Sequence, residues 1–251
     1  MTMMEVCVDS VESAQNAEEG GATRVELCGS LVEGGTTPSL GLFQTVKSHI
    51  SIPVFVIIRP RGGDFLYSDT EIKVMKQDIS LFMSSPDPPD GFVIGCLNSD
   101  GTVNTGLCKE LMALARPSQM TFHRAFDMTP DLGAALAAVI DCGFERVLTS
   151  GGHSTALEGL PILCDLVKQA KGKVIIMPGG GITSHNISRI IQGCGCSEFH
   201  CSARSSHSSS MTFQKQGVAM GALFSPPEFS MKTADVCKIR TILQISKSEI
   251  N

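Results

Sequence analysis

The chain has 251 residues, a hydrophobic fraction of 42% and a formal net charge of -5. That length suits one large α/β domain or two small ones, and no apolar run approaches the length of a membrane span. The basic residues do not run together, tryptophan is absent and tyrosine occurs once, which argues against a nucleic-acid-binding face and a polybasic membrane patch.

Apolar runs and helix-start residues alternate along the whole chain. Met3 to Val8 reads as a strand, and Ser10 opens a helix through about Gly20. Arg24 to Cys28 is the second strand, and Pro38 and Ser39 open a helix ending near His49. Val54 to Arg59 is the third strand, followed by R-P-R-G-G-D-F and a helix from Ser68 to Met83. Phe92 to Cys96 is the fourth strand and Asn104 to Ala115 its helix; Met120 to Ala125 is the fifth and Pro130 to Cys142 its helix. Arg146 to Ser150 is the sixth strand, with a helix from about Thr155 to Ala170. Val174 to Met177 is the seventh, stopped by Pro178 and three glycines; a helix carrying Ile187, Ile190 and Ile191 follows, and Phe199 to Cys201 is the eighth strand. A serine-rich loop from Ser205 leads into an irregular stretch, and Met231 to Ser246 reads as the last helix.

Eight strands alternating with helices imply a parallel sheet. In about 250 residues they predict a single-domain (β/α)8 barrel of the TIM type over residues 1–251, with an open doubly wound sheet as the alternative.

Alternation along each strand sorts side chains to the helices or to the barrel axis. Glu5, Cys7 and Asp9 of the first strand face inward, as do Arg24, Glu26 and Cys28 of the second and Ile57, Arg59 and Arg61 of the third. Thr121, His123, Thr149 and Met177 follow from the fifth to seventh strands, and Glu198, His200, Ser202 and Arg204 from the eighth. A barrel with no task is filled by branched aliphatics. Buried charge is costly unless paired or used, so this set predicts a working site, or else self-compensating ion pairs such as Glu5 or Glu26 with Arg59.

Three chemistries are readable in it. Cys7 and Cys28 share a parity on adjacent strands, and two thiolates suit Cu(I), with Met177 able to add a thioether; the competing reading is two core cysteines. Glu26 and His123 are candidates to move a proton. Arg59, Arg61, His200, Arg204 and the turn Gly179, Gly180, Gly181 are candidates to bind a small anion bearing phosphate or carboxylate. No metal-hydrolase histidine pair and no nucleophile elbow is present. Cys194 and Cys196, with Cys201 nearby, form a second thiol group that reads as structural, at the foot of the barrel. Ten cysteines behind a start, M-T-M-M-E-V-C-V-D, that lacks a signal-peptide pattern predict reduced thiols in the cytoplasm or nucleus.

The segments M-E-V-C-V-D-S, R-V-E-L-C, E-G-G-T-T-P-S, I-R-P-R-G-G-D-F-L-Y-S, T-F-H-R-A-F-D, R-V-L-T-S-G, M-P-G-G-G-I and E-F-H-C-S-A-R together resemble the CutC copper-homeostasis proteins, the animal members most of all. The resemblance implies a TIM-type barrel, an intracellular homo-oligomer (dimer or tetramer), and Cu(I) held at Cys7 and Cys28. It does not extend to the C-G-C at Cys194. No organic cofactor is expected. The functional alternative is a barrel enzyme acting on a small anionic substrate, with copper effects indirect.

Overall fold

In a computed structural model, which describes residues 2–218, 220 and 227–248, eight parallel strands alternate with helices around a common axis. The strands are β1 (Met3–Val8), β2 (Arg24–Leu27), β3 (Val54–Ile57), β4 (Gly91–Ile94), β5 (Gln119–Phe122), β6 (Arg146–Thr149), β7 (Ile175–Pro178) and β8 (Glu198–Cys201). Parallel ladders run β7-β6-β5-β4-β3-β2-β1-β8, and β7 lies beside β8, so the sheet curls into a nearly closed barrel. The (β/α)8 reading is correct and the open sheet is not.

The intervening helices are α1 (Val11–Gly20), α2 (Leu40–His49), α3 (Asp69–Met83), α4 (Thr105–Ala115), α5 (Leu132–Cys142), α6 (Leu160–Ala170) and α7 (Ile187–Cys194). Their starts follow local chemistry. Ser10, Ser39, Ser68, Asn104 and Asp131 each accept a backbone N–H from the first turn, and Ser68 with Glu71 completes a capping box. Helix α6 begins later than Thr155, because Thr155 and Glu158 close a turn of their own and the first helical turn holds Pro161.

Two sequence expectations fail after β8. The stretch from Arg204 is not all irregular: β9 (Arg204–Ser208) pairs antiparallel with β10 (Ser230–Ala234). Met231 therefore lies in a strand, and the last helix, α8, spans Val236–Ser248, started by Asp235, whose carboxylate accepts the N–H groups of Cys237 and Lys238.

Most apolar burial lies between barrel and helices, where Val6, Val8, Phe43, Ile79, Phe92 and Phe199 pack. Inside the barrel the apolar filling is small: Cys28, Phe55, Ile57 and Val93, with Leu31 against them. Below it lies a layer of charge. Arg24 donates to Glu5 at 2.5 Å and to Glu198 at 2.6 Å, and Arg146 donates to the same Glu198 at 2.8 Å and to Gln119 at 2.6 Å. Both guanidinium groups lie over the Phe55 ring, at 4.8 and 5.3 Å. Self-compensating ion pairs thus exist in the interior, with Arg24 and Arg146 as the cations rather than Arg59. Met177 belongs to this layer, its sulfur 3.4 Å from Arg24 Nη2.

Candidate functional site at the carboxyl end of the barrel

The carboxyl ends of the strands open into a cavity of about 860 Å³. At its floor, strand register decides which residues meet. Cys7 of β1 pairs with Glu26 of β2, and Glu5 of β1 pairs with His200 of β8. A sulfur of Cys7, a carboxylate oxygen of Glu26 and a ring nitrogen of His200 all lie within 4.8 Å of one another. His200 Nδ1 is 2.7 Å from Glu5 Oε1 and its Nε2 is 3.7 Å from Glu26 Oε2. Since Glu5 accepts from Nδ1, Nε2 is the nitrogen left for the cavity.

The electrostatics of this group are uneven. Burial opposes ionisation of Glu5, but Arg24 and the His200 hydrogen bond outweigh it and lower its pKa to about 2. Burial, reinforced by the Glu5 charge, raises that of Glu26 to about 7, against the pull of His200. His200 is buried too, which disfavours its charge; the Cys7 sulfur, the bond to Glu5 and the Glu26 carboxylate prevail and hold its pKa well above the ordinary imidazole value. Two carboxylates on opposite nitrogens of one imidazole therefore do different work: one is a fixed anion, the other is poised to exchange a proton at neutral pH.

Cys28 stands one pleat further along β2 than Glu26. Its sulfur is 3.8 Å from Glu26 Oε2, outside the three-residue group and packed into the inner apolar cluster. Burial, and next the Glu26 charge, push its thiol pKa well up. Cys201 is not part of a thiol group at the foot of the barrel: its carbonyl oxygen lies 3.7 Å from Cys7 Sγ. The thiol beside Cys194 and Cys196 is Cys164, which donates to Gly193 O at 3.0 Å.

His123 and Arg59 line the wall around Phe65, whose ring centroid is 5.0 Å from the His123 ring and 5.0 Å from the Arg59 guanidinium carbon. His123 Nδ1 accepts the Ala125 N–H, which assigns the proton to Nε2, an atom with no partner among the described residues. Burial, followed by the Arg59 charge, lowers the His123 pKa to about 3. The imidazole is thus a neutral N–H donor. Arg59 donates to the carbonyls of Glu33, Gly35 and Gly63, holding the loop after β2 over the cavity. Among the described residues no carboxylate lies within ion-pairing range of it, and its Nε has no partner.

Arg61 is not brought to the cavity. It turns outward to Glu71 at 2.5 Å and Asp64 at 3.0 Å. Gly180 and Gly181 line the cavity with φ of 100° and 71°. Gly179 lies behind them as a packing glycine: a Cβ there would collide with the Leu148 side chain. Arg204 reaches the mouth, 3.7 Å from Asp9.

Arg124, Asp127 and Lys238 are among the lining residues that escaped the sequence reading. After β5 the chain does not continue as strand to Ala125 but coils into a 3-10 turn, Arg124–Met128. The turn carries Arg124 and Asp127 to the mouth, where they pair at 2.7 Å. The motif T-F-H-R-A-F-D was the available signal.

These features can be set beside known proteins. A profile described as CutC family matches residues 2–205. The chain belongs to the CutC family. It is 58% identical to the copper homeostasis protein cutC homolog of Homo sapiens over 246 residues, covering 98% of this chain and 89% of that one. A CutC family protein of Parabacteroides distasonis is 44% identical over 242 residues, covering 96% of this chain and 99% of the relative. Among solved structures, a CutC protein from Streptococcus agalactiae superposes with a TM-score of 0.75 at 32% identity, covering 80% of this chain and 99% of that one. Among its described residues this CutC protein has no helix long and apolar enough to cross a membrane.

Proposed function

We propose that this CutC protein binds Cu(I) at the floor of its barrel mouth, through Cys7 Sγ and His200 Nε2, with Cys28 as a second thiolate. The copper homeostasis role named for its relatives motivates the ion. The observation that carries the site is the Glu5–His200 hydrogen bond of 2.7 Å, which holds Nε2 toward a sulfur less than 4.8 Å away. A carboxylate that orients a ligating histidine from behind is the arrangement that fixes tautomer and ring angle in metal sites. The donor chemistry fits: Cu(I) is soft and takes thiolate and imidazole, while the harder Glu26 carboxylate is better suited to accepting a displaced proton. Cys28 and the His200 imidazolium must each lose a firmly held proton to ligate, so Cu(I) binding releases protons and weakens as pH falls.

Competition against a chromophoric Cu(I) chelator tests this. Cys7→Ser and His200→Gln should each weaken Cu(I) binding by at least tenfold; binding equal to wild type in both rejects the site.

A second reading is a barrel enzyme for a small anionic substrate. One observation favours it: Arg59 is a buried cation, 6% exposed, that faces the cavity without a carboxylate partner among the described residues. Such a charge is stabilised when an anionic ligand arrives. In that reading Glu26 moves the proton and His123 donates its Nε2–H to a ligand oxygen.

A further inference from the structure

We propose that the rim opposite Arg59 is a phosphate-binding subsite, formed by Arg124, Arg204 and Lys238 over the Gly180–Gly181 turn, and that the cavity takes a small phosphate ester. The proposal rests on the small-anion reading of the cavity and is independent of copper.

Arg124 is built in, not splayed on the surface. Its Nε donates to Asp127 at 2.7 Å, and its Nη2 donates to Ser150 Oγ at 2.7 Å and to His153 O at 3.0 Å. Asp127 is consumed in that duty: it also accepts from Thr149 Oγ1 at 2.5 Å and from the N–H groups of Ser150 and Gly152. The remaining guanidinium edge, Nη1, is turned to Gly180, where an added Cβ would stand 3.2 Å from it. The glycine turn is thus laid against a locked cation, and its left-handed backbone leaves no side chain between them.

Arg204 is brought in by strain. Ala203, at the end of β8, has φ of 43°, a left-handed conformation that costs a non-glycine residue on the order of 1–3 kcal/mol. It turns the chain out of the barrel into β9, and Asp235 N–H secures it by donating to Ala203 O at 2.9 Å. Arg204 then faces the cavity with Asp9 as a distant partner at 3.7 Å. Lys238, in the first turn of α8, donates to Arg204 O at 2.8 Å and lines the same cavity. The second, independent pointer to an anion is the uncompensated Arg59, nine-tenths buried across the cavity with Nε unpartnered. The Arg204 guanidinium, the Nη1 edge of Arg124 and the Lys238 ammonium, lining one cavity beside exposed backbone, match the several oxygens and double charge of a phosphoryl group better than a single carboxylate.

Isothermal titration of the full chain with inorganic phosphate, glycerol 3-phosphate and malonate tests it. Phosphate and glycerol 3-phosphate should bind, the ester more tightly, and malonate should not. Arg204→Met and Lys238→Met should each weaken the ester at least tenfold, while Arg240→Gln, on the outer surface beside Glu19, keeps the wild-type value. These two rim substitutions carry the test because Arg124→Met also strips Asp127 of its partner. Malonate binding without phosphate binding overturns the subsite but leaves the small-anion reading standing. No binding of either overturns both. Ester binding unchanged in both rim variants overturns the location.

Discussion

Glu5 Oε1 lies 2.7 Å from His200 Nδ1, across a register pair of β1 and β8. The same carboxylate takes the Nε of Arg24 on its other oxygen, so one buried anion ties the ion-paired layer inside the barrel to the mouth above it. Replacing it with an amide keeps the shape and removes the charge. Glu5→Gln should lower Cu(I) affinity by about 10–100-fold, the usual scale for removing the partner behind a metal-bound histidine. Chelator competition, with far-ultraviolet circular dichroism to confirm folding, measures it.

Glu26 gives the protein a pH signature. Its folded-state pKa of about 7 lies above the ordinary value of 4.5, so between those two pH values the folded chain keeps a proton that the unfolded chain has released. Stability contributed by that proton is complete below pH 4.5 and is lost as pH rises through 7. The full loss is on the order of 3 kcal/mol. Glu26→Gln should therefore flatten the decline of urea stability between pH 5 and 8 and leave the variant the more stable of the two at pH 8. An unchanged slope would show that the carboxyl is not held protonated.

Arg24 serves two carboxylates, Glu5 and Glu198, with side chains almost wholly out of solvent. Arg24→Met leaves Glu5 with only His200 and Glu198 with only Arg146. Removing one member of a buried ion pair costs about 3–5 kcal/mol because the other charge stays uncompensated. A urea midpoint close to wild type would mean that the layer contributes little.

His123 should remain neutral, with its proton on Nε2, from pH 5 to 8. The Ala125 N–H occupies Nδ1, and burial and Arg59 hold its pKa near 3. Nitrogen-15 chemical shifts of the imidazole report both tautomer and charge; a titration in that range would restore His123 as a candidate base.

Much of this was readable from the chain because the signals are local. Ser10, Ser39 and Ser68 mark helix starts within four residues of the groups they cap. Parity placed Cys7, Glu26 and His200 inward, since a strand alternates whatever its neighbours do. It did not give the offset between strands: Cys7 is level with Glu26, so Cys28 sits a pleat higher. Parity also stops where a strand stops. Extending it past Ile57 misdirected Arg61, and extending it past Phe122 hid Arg124 and Asp127, which a 3-10 turn rotates into the mouth. The β9–β10 hairpin left no trace because its strands, R-S-S-H-S and S-M-K-T-A, carry no alternating apolar face.

The most direct test of the copper site is X-ray absorption at the copper edge on the Cu(I)-loaded protein, wild type beside His200→Gln and Cys7→Ser. The site described here predicts a mixed sulfur and nitrogen shell that loses its nitrogen in the first variant and a sulfur in the second. A sulfur-only shell in wild type, unchanged by either substitution, would contradict it.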